Sequence, residues 1–153
     1  MVQILVDADA CPVKDEIYDI ALRHQVPVIV VSNSPIRVPA SSLITRKVVS
    51  DAFDAADDWI VEHATARSVV ITGDILLADR CLKLGSSVIS SNGKPFTAAS
   101  IGNAVAVRAI MADLRAGGDR IGGPAPFGKA DRSRFKSSLD EALVKLRRLP
   151  PLT

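Results

Sequence analysis

The fold is decided by residues 2–31, which read VQILVDADACPVKDEIYDIALRHQVPVIVV. Two short and largely apolar runs, residues 3–6 and residues 27–31, have the character of strands that are buried on both faces of a parallel sheet. The residues between them, 12–25, have apolar side chains at helical spacing, and Pro12 suits the first position of a helix. A strand, a helix and a strand in this order predict two parallel strands joined by a crossover helix.

The same alternation continues along the chain. Further strands are predicted at residues 46–49, 69–72 and 87–90, and further helices at residues 55–65, 75–84, 98–116 and 131–148. We therefore expect an α/β fold of three layers, in which a mostly parallel sheet is flanked by helices. The α/β domain is predicted to cover residues 1–116. Residues 117–153 are predicted to form a Gly/Pro-rich linker and a basic C-terminal helix that packs on the same domain.

Length and composition restrict the class of protein. The chain has 153 residues, of which 48% are apolar and 24% are charged, which is typical of one soluble domain. Collagen, low-complexity disorder and a small disulfide scaffold are excluded. There is no secretory signal pattern and no apolar run near the ~20 residues of a membrane span, and two cysteines are too few for a disulfide framework. We therefore expect a cytoplasmic protein with reduced thiols and no membrane partner, and the sequence carries no signal for an oligomeric state.

The net charge of +2 conceals an uneven distribution. Residues 1–107 carry nine Lys and Arg against twelve Asp and Glu, a net charge of −3. Residues 108–153 carry ten against five, a net charge of +5. A basic segment of this kind predicts a polyanion partner, because Lys and Arg bind phosphates by displacing counterions. The plain alternative is a solvated basic face on an amphipathic helix, whose apolar residues Phe135, Leu139, Leu143 and Leu146 pack inward.

Acidic residues follow two of the predicted strands. Asp7 and Asp9 come directly after the first strand, and Asp74 follows the strand at residues 69–72. The carboxyl ends of parallel strands form one edge of the sheet, where ligands bind. Carboxylates that gather there raise each other's pKa unless a cation lies between them, and Mg²⁺ or Mn²⁺ is the natural ion for oxygen ligands. The plain alternative is that Asp7 and Asp9 cap the helix that begins at Pro12.

Other polar residues near this edge are weaker candidates. Glu16 lies on the first predicted helix, and Asp57 and Asp58 lie in the first turn of another, where acids also occur for helix stability alone. The loop after the second strand brings Asn33 and Arg37 to the same edge, within reach of a bound phosphate. The Pro and Ser residues of that loop are also ordinary turn residues.

Five motifs along the chain resemble one known family. They are VDADACP at 6–12, SNSPIRVP at 32–39, ADDWIV at 56–61, ITGDILLA at 71–78 and GGP at 122–124. With this set, spread over almost the whole chain, the sequence is similar to the YaiI/YqxD family. That family is grouped with PIN-like domains, which have a parallel sheet between helices and whose well-studied members are metal-dependent ribonucleases. The resemblance therefore implies a PIN-like fold and metal-dependent cleavage of RNA.

The resemblance also implies roles for particular residues. Asp7 matches the acid after the first strand of the PIN pattern, Asp74 matches the acid of its Thr-x-Asp motif, and Thr72 orients the site through its hydroxyl. One of Asp57 and Asp58 matches a third acid. Asp9 stands where PIN proteins often carry a small polar residue, so it either adds a ligand or departs from the catalytic pattern. The implied catalytic residues are Asp7, Asp58 and Asp74, and the implied Mg²⁺ or Mn²⁺ ligands are Asp7, Asp9, Glu16, Asp57, Asp58 and Asp74.

The expected mechanism follows from such a site. One or two metal ions held by the carboxylates would activate a water for in-line attack on a phosphodiester and neutralise charge on the phosphorus oxygens. An acidic site does not attract RNA by itself, so basic residues elsewhere must supply the affinity. The residues expected to contact RNA are Asn33, Arg37, Arg132, Arg134 and Lys136.

Two other functions fit parts of the pattern. A phosphatase of the haloacid dehalogenase type would use Asp7 as nucleophile and Asp9 as general acid. Its further candidate residues are Ser32, Lys47, Asp74 and Asp79. Two features count against it: Pro12 begins a helix directly after the acid pair, which leaves no room for a hairpin, and Ala10 rather than Thr or Val follows Asp9. A non-catalytic RNA-binding module with the same fold is the third function considered.

Overall fold

The computed structural model describes residues 2–8, 11–52, 54–102 and 128–148. Its strands are β1 (Gln3–Asp7), β2 (Val28–Ser32), β3 (Ile44–Val48), β4 (Ser68–Ile71) and β5 (Ser87–Ile89), and its long helices are α1 (Lys14–His24), α2 (Ala55–His63), α3 (Ile75–Lys83) and α4 (Lys129–Arg147). These bounds lie within two residues of the predicted ones. Residues 98–102 are helical as predicted, and the remainder of that predicted helix and most of the Gly/Pro-rich segment, 103–127, lie outside the described residues.

The five strands form one parallel sheet in the order β3-β2-β1-β4-β5. The predicted α/β three-layer fold is therefore confirmed. The chain builds outward from β1 to β3 and then returns to the other side of β1 to add β4 and β5. The connections that leave β1 and β4 consequently run in opposite directions, which opens a crevice beyond the carboxyl ends of these two strands. Asp7 and Asp74 lie on either side of that crevice.

The strands β1, β2 and β4 are covered on both faces, which explains why they are mostly apolar, whereas the edge strand β3 is largely exposed. Alternate side chains of β1 point to opposite faces. Ile4 and Val6 therefore join the core beneath α1 and α4, whereas Leu5 joins the core beneath α2 and α3. In the part of the chain described above, no helix is long and apolar enough to cross a lipid bilayer.

The C-terminal helix α4 is part of the main core. Phe135, Leu139, Leu143 and Leu146 recur every three or four residues and are buried, as expected for its apolar face. They pack in the same cluster as the buried residues of α1. Ion pairs along the two helices progress in the same direction, so α1 and α4 run parallel: Glu16 with Arg132, Asp19 with Lys136 and His24 with Asp140.

A tight turn after β5 fixes the other side of α4. Gly93 has a φ of 86°, and a Cβ at this position would lie 2.8 Å from backbone atoms of Arg134 and Phe135. Only glycine combines this backbone conformation with such a close approach. The Ser138 hydroxyl of α4 donates a hydrogen bond of 2.5 Å to the Gly93 carbonyl. The turn therefore has a fixed position against the helix.

Candidate acidic site

The ends of β1 and β4 are joined by the hydroxyl of Thr72, which is buried. Thr72 Oγ1 donates a hydrogen bond of 2.9 Å to Asp7 Oδ2, and it accepts one of 3.0 Å from the backbone N–H of Asp74. The two acids that follow these strands are thus connected through one side chain. The orientation of the Asp7 carboxylate depends on this hydroxyl.

Asp74 is also the N-cap of α3. Its Oδ1 accepts hydrogen bonds from the backbone N–H groups of Leu76 (2.8 Å) and Leu77 (3.2 Å). These bonds satisfy amides that the first turn of a helix leaves unpaired, and the helix dipole favours the negative charge. The Asp74 carboxylate is therefore held in place by its own helix, with Oδ2 making no hydrogen bond to the described residues.

A cavity of about 530 Å³ lies at this point of the sheet edge. Its charged and amide side chains come from the end of β1, from the loops after β2, β3 and β4 and from α2, and they are Asp7, Asn33, Asp51, Asp54, Asp57 and Asp74. No Lys or Arg is among the described residues that line it. A concave surface with five carboxylates and no lining cation attracts positive ions and repels polyanions.

The pKa of Asp57 reports this crowding of negative charge. Partial burial and then the carboxylates of Asp74, Asp7 and Asp54 raise it from 3.8 to about 6, and Arg80 opposes the shift. Asp57 makes no hydrogen bond or ion pair with the described residues, and the charge of Arg80 offsets only part of the rise in its pKa. A cation in the cavity would reverse the shift.

The other predicted metal ligands lie elsewhere or outside the described residues. Asp58 points away from the cavity, where its Oδ1 pairs with Arg80 Nη2 at 3.0 Å, and Glu16 Oε1 pairs with Arg132 Nη1 at 3.0 Å. Asp9 lies outside the described residues. Of the six predicted ligands, the structure brings together Asp7, Asp57 and Asp74. Of the two adjacent acids of α2, Asp57 lines the acidic cavity and Asp58 does not.

The residues expected to contact RNA lie in three places: at the acidic cavity, on the loop after β2 and on α4. Asn33 lines the acidic cavity, and Arg37 is exposed on the loop after β2. The three candidates on α4 take part in ion pairs: Arg132 with Glu16, Lys136 with Asp19 at 3.3 Å, and Arg134 with Asp131 at 3.2 Å. Acids of α1 thus offset part of the positive charge of the C-terminal segment.

The residues that a phosphatase of the haloacid dehalogenase type would use do not all lie at this cavity. Asp7 and Asp74 line it, but Asp79 pairs with Lys83 at 3.0 Å and Lys47 is exposed on β3 at the edge of the sheet. The Ser32 hydroxyl donates to the carbonyl of Ser34 in its own loop.

Comparison with known proteins agrees with the motifs. The family model described as "Uncharacterized BCR, YaiI/YqxD family" matches residues 5–145. The chain belongs to the YaiI/YqxD family. It is 68% identical over 146 residues to a "UPF0178 protein" of Sphingopyxis alaskensis, an alignment that covers 95% of each chain. It is 56% identical over 147 residues to a "UPF0178 protein" of Nitrobacter winogradskyi, covering 96% of this chain and 94% of the relative. No solved structure matches it at a significant level.

The donor chemistry of this YaiI/YqxD chain fits a hard divalent cation. Among the described residues, no group of three or more His, Cys, Asp or Glu side chains is arranged to hold an ion on its own. Mg²⁺ commonly takes only one or two carboxylates and completes its shell with water and substrate phosphate. Asp7 and Asp74, both held in place by hydrogen bonds, with the raised pKa of Asp57 beside them, fit that mode of binding.

Two cavity acids, Asp51 and Asp54, were not among the predicted ligands. Both follow β3, whose carboxyl end lies at the same edge of the sheet. The predicted position of this strand could therefore have indicated that Asp51 and Asp54 lie at the cavity. Asp54 has a φ of 64° and its side chain makes no capping bond to α2. Its carboxylate therefore faces the cavity without being used in helix capping.

Replacing Asp57 with asparagine is expected to stabilise the metal-free protein at neutral pH. Because the folded pKa of about 6 lies above the ordinary value of 3.8, ionising Asp57 destabilises the folded state as the pH rises through this interval. We expect about 1 kcal/mol, since water screens this half-exposed group, and hence a Tm higher by ~2–4 °C at pH 7.

Measurement of Tm in EDTA between pH 4 and pH 8 checks this expectation. The gain of Asp57→Asn should be complete above about pH 7 and should vanish near pH 4. Asp58→Asn is the matched control, and it should show no such gain because Asp58 is exposed and paired with Arg80. An equal rise in Tm at pH 4 and at pH 8 would show that the ionisation of Asp57 is not the cause of the stabilisation.

Proposed function

We propose that this YaiI/YqxD chain is a Mg²⁺- or Mn²⁺-dependent ribonuclease that hydrolyses phosphodiester bonds. The observation that carries the proposal is the convergence of Asp7, Asp57 and Asp74, from β1, α2 and the β4–α3 junction, on one cavity at the topological switch point. Partial burial and then the neighbouring carboxylates raise the pKa of Asp57, and this crowding of carboxylates supports the proposal because a divalent cation would relieve it. The resemblance to PIN-like domains supports the reaction class.

The contacts of each residue suggest its role in the proposed reaction. Asp7 and Asp74 are the carboxylates fixed by hydrogen bonds, so they are proposed as the metal ligands, with Thr72 as the positioning residue between them. A bound divalent ion supplies Lewis acidity and a water of lowered pKa for attack on phosphorus. Asp57 lines the same cavity and makes no hydrogen bond to the described residues, so its carboxylate is placed to accept a proton from the attacking water. The Asn33 amide at the wall of the cavity is suited to donate to a phosphate oxygen.

The test is cleavage of a 5′-labelled single-stranded RNA by the full chain with Mn²⁺, with Mg²⁺ and with EDTA. We expect shortened products in the first two conditions and none in the third, and Mn²⁺ binding should be detected independently by its electron paramagnetic resonance spectrum. Intact RNA in the presence of bound Mn²⁺ would contradict the proposal. Phosphate release from a monoester without RNA cleavage would favour the phosphatase, and RNA binding without either reaction would favour the binding module.

A further inference from the structure

A second cavity of about 360 Å³ adjoins the acidic cavity. The two share Gly73, so the second cavity lies between the carboxyl ends of β4 and β5. We call it the Lys94 cavity. Its lining includes Asn92, Lys94, Pro95 and Phe96 and contains no acidic residue among those described. One cavity with five carboxylates therefore opens beside another with a cation and an aromatic ring.

The polar groups of the Lys94 cavity lie on a turn of fixed position. Asn92 Oδ1 accepts hydrogen bonds from the Ser90 hydroxyl and from the backbone N–H of Lys94, the latter at 3.3 Å. The side-chain NH₂ group of Asn92 therefore remains as a donor, with no partner among the described residues. Gly93, between Asn92 and Lys94, packs against the backbone of α4, which fixes the turn.

Lys94 is the cation that lines the adjoining cavity among the described residues. It is exposed and makes no ion pair with the described residues, in contrast to Arg132 and Lys136 of α4. A phosphodiester chain that brings one phosphate to the carboxylates must extend its neighbouring phosphate beyond them. Because no Lys or Arg is among the described residues that line the acidic cavity, the adjacent ammonium group of Lys94 offers that phosphate a favourable electrostatic contact.

The apolar wall of the Lys94 cavity suits a nucleobase. Phe96 is half-buried and held by a hydrogen bond of 2.8 Å from its backbone N–H to the Val88 carbonyl, and Pro95 lies beside it. Single-stranded nucleic acids bind proteins by stacking bases on aromatic side chains next to basic groups. The Asn92 amide adds a donor for a base or sugar oxygen.

We propose that the Lys94 cavity holds the nucleotide next to the hydrolysed phosphodiester of a single-stranded RNA. Lys94 binds its phosphate, and Phe96 and Pro95 contact its base. This inference rests on the proposed ribonuclease function and specifies how the substrate is bound. It also assigns the RNA affinity to the sheet edge rather than to the basic face of α4, whose candidates Arg132, Arg134 and Lys136 are ion-paired.

The test measures binding by fluorescence anisotropy of a labelled ten-nucleotide single-stranded RNA with the full chain in Ca²⁺, which neutralises the carboxylates in place of Mg²⁺ or Mn²⁺, and gel electrophoresis checks that the RNA stays intact. Lys94→Ala is expected to weaken binding about 5- to 10-fold and to lower the slope of log K against log salt by ~0.7, the value for one phosphate contact on a single strand. Lys94→Arg should retain the slope. Phe96→Leu, which keeps an apolar side chain, is expected to weaken binding about 5-fold with an unchanged slope.

Arg23→Ala is the control of equal charge, because Arg23 is exposed, makes no ion pair with the described residues and lies in the last turn of α1, away from the carboxyl ends of the strands. It should bind RNA within twofold of the wild type. Equal losses for Lys94→Ala and Arg23→Ala, no loss for either, or no RNA binding by the wild type would overturn the inference. Binding that depends on Lys94 without any metal-dependent cleavage would retain the inference and refute the ribonuclease. Cleavage with an unchanged KM in Lys94→Ala would retain the ribonuclease and overturn the inference.

Discussion

Replacing Asp7 with asparagine is expected to reduce metal-dependent RNA cleavage by about 100-fold or more. Asparagine has nearly the same shape, and its carbonyl oxygen can still accept the hydrogen bond from Thr72, so the sheet edge keeps its structure. The negative charge is lost, and with it one of the two carboxylates that hydrogen bonds hold at the cavity. Removing a fixed polar group from a catalytic site typically lowers kcat by ~10²–10³.

Three further variants separate the effect of the Asp7 charge from the effect of its position. Thr72→Val removes the hydroxyl that orients Asp7 and should lower activity about 10- to 100-fold, the usual effect of losing an outer partner of a metal ligand, while Thr72→Ser should restore it. Asp79→Asn is the control of equal charge, because Asp79 pairs with Lys83 outside the cavity. It should leave activity unchanged.

The Asp7→Asn variant also has a readout that does not depend on activity. Asp7 is one of the carboxylates that raise the pKa of Asp57, so the pKa of Asp57 should fall toward its ordinary value in this variant. Carboxyl-detected NMR titration in EDTA measures it. An unchanged pKa of Asp57 together with unchanged cleavage would show that the acidic cavity is not the active site.

The sequence was sufficient to predict the sheet and the meeting of Asp7 with Asp74. Short strands that are apolar at every position must be covered on both faces, and parallel strands bring their carboxyl ends to one edge. Both inferences depend only on local pattern and on general geometry. Neither requires knowledge of which distant side chains touch.

The choice between Asp57 and Asp58 needed the structure, because neighbouring residues of a helix point about 100° apart. Helix α2 has nine residues and only Ile60 is fully buried, so its sequence sets the inward face weakly. Asp57 lies three residues before Ile60 and shares that face, whereas Asp58 turns toward Arg80 on α3.

The ion pairs of the basic segment were not predictable from local pattern. Its charge suggested a surface for a polyanion, but Arg132 and Lys136 meet Glu16 and Asp19 of α1, more than 100 positions earlier in the chain. Such pairs arise only after α4 has docked beside α1. The spacing of apolar residues along α4 predicts that it packs inward but not which helix it meets.

The largest expected effect on stability comes from this docked helix. Phe135→Ala should lower the free energy of unfolding by about 3–5 kcal/mol, because Phe135 is fully buried in the core shared by α1, α4 and the sheet. In a chain of this size each kcal/mol shifts Tm by ~2–4 °C, so Tm should fall by roughly 6–20 °C. Urea unfolding followed by circular dichroism measures the change.

Ser133→Ala is the control on the same helix, since Ser133 is exposed and its replacement should change stability by less than about 0.5 kcal/mol. A similarly small change in Phe135→Ala would mean that α4 is not docked in solution. The turn at Gly93 packs on the backbone of Phe135 and carries Lys94. Loss of the docked helix would therefore release the Lys94 cavity as well, so Phe135→Ala should weaken RNA binding in parallel with the loss of folded protein.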